Sequence, residues 1–124
     1  MPIREMLARV GDKWSILTLG ALGSQRMRFG ALNRAIAGIS PRVLAVTLRA
    51  LERDGLVVRT AYATVPPRVE YEVTARGRSL RDALRPLAEW VIANRAGLQE
   101  SREAFDRQAE SAQEVPAGPM LTKS

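Results

Sequence analysis

Gly38-Ile39-Ser40-Pro41-Arg42-Val43-Leu44-Ala45-Val46-Thr47-Leu48-Arg49-Ala50-Leu51-Glu52-Arg53-Asp54-Gly55 is the stretch on which the fold turns. Ser40 offers a side-chain oxygen to the free amides of a helix start, and Pro41 suits the first helical position, where no N–H is required. Asp54-Gly55 stops the helix, because glycine accepts the left-handed backbone of a helix end. The predicted helix therefore covers 41–53. At about 100° per residue, Leu44, Leu48 and Leu51 share one narrow arc. Arg42, Val46, Arg49 and Arg53 share the opposite arc, with Ala45 beside them. An ordinary amphipathic helix with a solvated charged face shows the same pattern, so the arcs alone leave both readings open.

Upstream context narrows the choice. A helix is predicted over 30–36 with Leu32 and Ile36 inward, and Ala37-Gly38-Ile39 is the turn that follows it. Helix, glycine turn and capped basic helix is the layout of a helix-turn-helix. Arg26-Met27-Arg28-Phe29 reads as a short strand leading into the motif. Further upstream, residues 2–10 form a short helix with Pro2 in its first turn. Gly11 interrupts it, and Asp12 caps a second helix over 13–22. Trp14, Leu17, Ala21 and the flanking Leu22 give that helix its buried stripe, and Gly23-Ser24 ends it.

Downstream, two β-rich stretches follow, Leu56–Tyr62 and Arg68–Val73. In the second, Val69, Tyr71 and Val73 alternate with Arg68, Glu70 and Glu72, the period of a half-buried strand. Ala63-Thr64-Val65-Pro66-Pro67 joins them stiffly, with no N–H at either proline. A hairpin directly after the basic helix stands where a wing belongs. Arg59 and Arg68 lie at its base or edges, placed either for phosphate and minor groove or simply for solubility. Thr74 then caps a long helix over 75–109. Leu80, Leu84, Leu87, Val91 and Leu98 form its apolar stripe, Trp90 adds area, and Pro86 interrupts its hydrogen bonding. The near half of the stripe is expected on the chain's own first helices. No later element covers the far half, so a partner chain is the expected cover. From Ser111 the chain is polar and reads as a disordered tail.

Composition removes several classes of function. The chain carries +6, unevenly: residues 1–81 hold 14 Arg/Lys against 6 Asp/Glu, net +8, and residues 82–124 hold 5 against 7, net −2. Clustered positive charge suits a polyanion, although charge alone does not separate this from an ordinary basic protein. There is no Cys and no His, which removes disulfides, thiol catalysis and imidazole or thiolate metal sites within these residues. No apolar run is long enough to span a bilayer and no secretory leader is visible, so a cytoplasmic location is the default expectation. An enzyme is not expected. Glu70 and Glu72 point outward by alternation, Glu52 and Asp54 sit at a helix end, and no phosphate-cradling loop or ligand cluster appears. No cofactor is implied. Trp14, Phe29, Leu44, Leu48, Leu51 and Tyr71 are assigned to the core.

With these elements placed, the sequence resembles the HxlR-type winged helix-turn-helix transcriptional regulators, relatives of the MarR group, over roughly residues 1–95. The stretches that carry the resemblance are Val10-Gly11-Asp12-Lys13-Trp14, Arg28-Phe29-Gly30-Ala31-Leu32, Gly38–Leu44, Leu48–Val57, and Val65–Tyr71 closed by Thr74-Ala75-Arg76-Gly77. Their order and spacing make the match specific. The resemblance implies a homodimer held by N- and C-terminal helices on a roughly palindromic operator, with Ser40–Arg53 as the recognition helix. Many members carry a cysteine just before Pro-Val/Ile at the start. Met1 stands there in this sequence, so thiol redox sensing is not carried over.

The expected fold class is thus α+β, mainly helical: a winged helix-turn-helix domain over 1–95 including an N-terminal dimerisation helix, a C-terminal dimerisation helix over 75–110, and a tail over 111–124. Double-stranded DNA is the expected partner, and repression the expected outcome. Backbone amides near Ser40 and Arg42 approach a phosphate. Arg42 and Arg49 read base edges, while Ala45 and Val46 meet thymine methyls. Arg28, Arg34 and Arg53 bind phosphate, and Arg59 and Arg68 serve the wing. Dimerisation falls to Ile3, Leu7, Leu84, Leu87, Trp90, Val91 and Leu98. Trp90 has a second reading, lining a cavity for a small-molecule effector, as related regulators hold between dimer helices and DNA-binding core. The competing function is a protein-interaction adaptor that keeps the winged fold without binding DNA.

Overall fold

A computed structural model of the chain describes residues 2–114. Their elements run α1 (Ile3–Val10), α2 (Lys13–Leu22), β1 (Met27–Arg28), α3 (Phe29–Ala35), α4 (Pro41–Arg53), β2 (Val57–Tyr62), β3 (Arg68–Val73) and α5 (Ala75–Glu114). This is a mainly helical α+β winged helix-turn-helix. The chain divides into two compact units, Met1–Arg85 and Pro86–Ser124. The first contains every element of the motif and its wing.

Local chemistry sets the ends of α4. The Ser40 hydroxyl oxygen accepts from the Val43 amide at 3.1 Å, and Pro41 opens the helix. At the other end Gly55 adopts φ +74°. Its amide donates to the Glu52 carbonyl at 3.0 Å, and the Leu56 amide donates to the Leu51 carbonyl at 2.9 Å. Those two bonds are the Schellman closure, which satisfies carbonyls that a helix end otherwise leaves free. The turn also sends Leu56 into the core beside Leu51. Leu44, Leu48 and Leu51 are all buried, as their shared arc predicts, together with Leu19, Leu22, Leu32, Ile36, Ile39, Val57 and Val73. Trp14, Phe29, Tyr71 and Leu80 pack against this core and are themselves partly buried.

The stripe expected on α2 needs correction. Leu17 is 48% exposed, and the buried positions are Ser15, Thr18, Leu19 and Leu22. The helix is apolar on almost every side, so periodicity does not select its inner face. Asp12 makes a buried Ser15 tolerable: its carboxylate accepts from the Ser15 amide at 3.1 Å and from the Ser15 hydroxyl at 3.3 Å.

The three strands form an antiparallel sheet in the order β1-β3-β2. Central β3 pairs Met27 with Tyr71 on one side and Val57 with Val73 on the other. Its acidic residues are half-buried rather than open to solvent, because arginines close over them. Arg26 Nε lies 3.4 Å from Glu72 and Arg68 Nε lies 3.6 Å from Glu70.

Thr74 begins α5. Its hydroxyl oxygen accepts from the Gly77 amide at 3.1 Å and donates to the Gly55 carbonyl at 2.6 Å, joining this helix start to the end of α4. Gly77 is packed so closely that a Cβ there would strike the Leu56 carbonyl oxygen and come within 2.6 Å of Val73 Cγ1. Gly77→Ala should therefore destabilise the first unit by about 1–3 kcal/mol through overpacking, despite alanine's higher helix propensity. Urea denaturation of the two proteins checks this. Further along, α5 continues through Glu114, four residues into the stretch from Ser111 that was expected to be a tail. The remainder of that stretch, 115–124, lies outside the described residues.

Candidate nucleic-acid interface

The outward arc of α4 is exposed along its length. Arg42, Ala45, Arg49 and Arg53 are all exposed, and Val46 is 63% exposed. Ahead of them, Gly38 takes φ +82°, which lets the chain reverse between α3 and the Ser40 cap. Arg28 stands immediately before α3 and Arg34 in its last turn, both exposed.

The arginines of this domain divide by partner. Arg9, Arg26 and Arg68 each meet a carboxylate, at 3.1, 3.4 and 3.6 Å. Among the described residues, none of the ion pairs involves Arg28, Arg34, Arg42, Arg49, Arg53 or Arg59. Six exposed guanidinium groups thus keep their donors free for an outside anion.

Arg49, Arg53 and Arg59 come together around one open groove of about 1180 Å³ between α4 and the sheet. Ala45, Leu48 and Tyr71 also line it. Arg42, near the start of α4, is not among the residues lining it, nor are Arg28, Arg34 and Ser40.

The two wing arginines diverge. Arg59 pairs in register with Tyr71, and Arg68 with Tyr62. Residues 59 and 62 are three apart on β2, so their side chains leave opposite faces of the sheet. Arg59 is exposed, whereas Arg68 is half-buried with its guanidinium carbon 4.2 Å from the centre of the Tyr62 ring. Arg26 closes the same cluster by donating to the Tyr62 hydroxyl at 3.0 Å. The adjacent Glu72 carboxylate, then Tyr62, hold the Arg26 pKa above its ordinary value.

Sequence reading missed Arg9. It lines the α4–sheet groove and donates to Asp54 across 45 residues of chain. No local pattern marks it, since the contact depends on how α1 lies over the end of α4.

The dimerisation candidates differ in exposure. Ile3 and Leu7 on α1 are 73% and 63% exposed, and Leu87, Trp90, Val91 and Leu98 on α5 are exposed as well, while Leu84 is half-buried. Met6, Ile92 and Phe105, which sequence reading did not select, are also exposed. No helix among the described residues is long and apolar enough to cross a membrane.

With this geometry in hand, the comparison with known proteins is decisive. The sequence profile of the HxlR-like helix-turn-helix family matches residues 9–98. The chain belongs to that family. Among HxlR-like relatives, the HTH-type transcriptional regulator YtfH of Escherichia coli is 43% identical over 93 residues, spanning 75% of this chain and 74% of that protein. The solved structure of YtfH from Salmonella typhimurium superposes with a TM-score of 0.74 at 40% identity, covering 82% of this chain and 91% of that one. The redox regulator HypR in its reduced form gives 0.71 at 35% identity, covering 81% and 99%. This HxlR-like protein is accordingly a transcriptional regulator built on a helix-turn-helix DNA-binding domain.

Proposed function

We propose that the protein acts as a homodimer that binds a roughly palindromic operator through two copies of α4 and represses the adjacent promoter from within the cytoplasm. The observation that carries this reading is the row of exposed arginines on the outward arc of α4, none held by a carboxylate of the described chain. The capped start of α4 presents backbone amides to a phosphate. Arg42 and Arg49 reach guanine O6 and N7, and Ala45 and Val46 pack on thymine methyls. Arg28, Arg34 and Arg53 neutralise phosphates, and Arg59 reaches the backbone from the wing. Arg68 braces the wing through Tyr62 and Glu70. The exposed apolar residues of α1 and α5 supply the contact between copies, which sets the two recognition helices about one helical turn of DNA apart. HypR is named a redox regulator, but these 124 residues contain no cysteine, so thiol chemistry is not part of the proposal.

Fluorescence anisotropy on generic duplex DNA at several salt concentrations tests the reading. A dimer making about 6–10 phosphate contacts loses roughly 10³–10⁵ in affinity between 50 and 200 mM salt. Absent binding, or binding indifferent to salt, contradicts it and favours a protein-interaction adaptor.

A further inference from the structure

α1 contains no buried residue, and Ile3, Met6 and Leu7 on it are exposed. A helix of eight residues has little stability of its own and depends on contacts to stay folded in place. Among the described residues, one side-chain ion pair ties it to the motif. Arg9 Nη1 donates to both carboxylate oxygens of Asp54, at 3.1 and 3.3 Å. The two side chains are about one-third exposed, at 32% and 27%, so water screens the pair less than it would on an open surface.

Asp54 is a stiff anchor. It directly follows Arg53, its amide donates to the Ala50 carbonyl at 3.1 Å, and the Schellman closure fixes the backbone after it. The Arg9–Asp54 pair thus joins α1 to the residue that follows the last turn of α4. Arg9 also lines two grooves along α4 from Ala45 onward. It lines the groove holding Arg49, Arg53 and Arg59, and a second groove holding Val46, Thr47 and Ala50. Without Arg9, the half-buried Asp54 carboxylate would lose its ion-pair partner.

We propose that Arg9 is a positioning residue for DNA recognition: its ion pair with Asp54 couples α1, whose apolar face is offered to a second copy, to the last turn of the recognition helix. The inference rests on the DNA-binding reading above, but its structural half is testable without DNA. Three variants suffice: Arg9→Ala, Asp54→Ala, and the charge swap Arg9→Asp with Asp54→Arg. In backbone hydrogen exchange, Arg9→Ala should speed exchange both in α1 and in residues 50–53 of α4, and the swap should restore protection. On DNA, Arg9→Ala should weaken binding on the order of tenfold with an unchanged salt slope, and the swap should recover most of the loss. Faster exchange confined to α1 overturns the proposal. A lowered melting temperature with unaltered DNA affinity overturns it too, since that is a purely structural role. A salt slope reduced by about two, one for each copy in the dimer, with no rescue by the swap, would make Arg9 a direct phosphate contact instead. If the parent protein binds no DNA, the functional reading fails, while the exchange comparison still decides the coupling.

Discussion

A protein carrying both Arg42→Ala and Arg49→Ala should bind its operator at least about a thousandfold more weakly than the parent. Each arginine that reads a base edge contributes about 1–3 kcal/mol, and a dimer loses both from each half-site. The helix itself should survive. Both side chains are exposed, neither belongs to an ion pair among the described residues, and alanine is the best helix former. Melting temperature should therefore stay within a few degrees of the parent's while anisotropy titrations at fixed salt report the loss. Arg53→Ala provides the contrast. It should weaken operator and generic DNA alike and flatten the salt slope, because a phosphate contact carries no sequence information. Unaltered operator affinity in the double arginine variant would remove base readout from these residues.

Leu48→Ala should have the largest effect on stability. Leu48 is 2% exposed, between Leu44 and Leu51 on the inward arc of α4. Truncation removes buried carbons and leaves a cavity that the rest of the core cluster, Leu19, Leu22 and Val57 among it, can fill only partly. The usual cost of such a change is about 2–5 kcal/mol, which for a domain of this size lowers the melting temperature on the order of 10 °C. Thermal unfolding followed by circular dichroism measures it. The same residue borders the groove of Arg49, Arg53 and Arg59, so the experiment also links packing to function. The inward leucines hold the helix that presents the arginines outward.

The motif was legible because its punctuation is local. Ser40-Pro41 and Asp54-Gly55 set both ends of α4, and leucine spacing set its inner face. The β2–β3 hairpin followed from alternation and a stiff connector. What failed to show depends on tertiary placement or on weak periodicity. Because α2 is apolar on nearly every side, its pattern points inward at Leu17 as readily as at the Thr18 and Leu19 that packing buries. Arg59 and Arg68 looked equivalent in sequence, and the strand register separated them onto opposite faces. Arg9 and Asp54 meet across 45 positions, a distance no local pattern can bridge. The end of α5 lies beyond the predicted limit because Ser111-Ala112-Gln113-Glu114, though polar, contains the good helix formers alanine, glutamine and glutamate.

Selection of bound sites from random duplex DNA, run in parallel with the parent and with Arg42→Ala, puts the recognition claim to its most direct test. The parent should enrich a short inverted repeat with guanine in each half and half-sites about one helical turn apart. Arg42→Ala should enrich the same repeat with one position per half relaxed. A parent that enriches no sequence, or a variant that enriches the full repeat undiminished, would contradict an arginine-bearing helix reading the major groove.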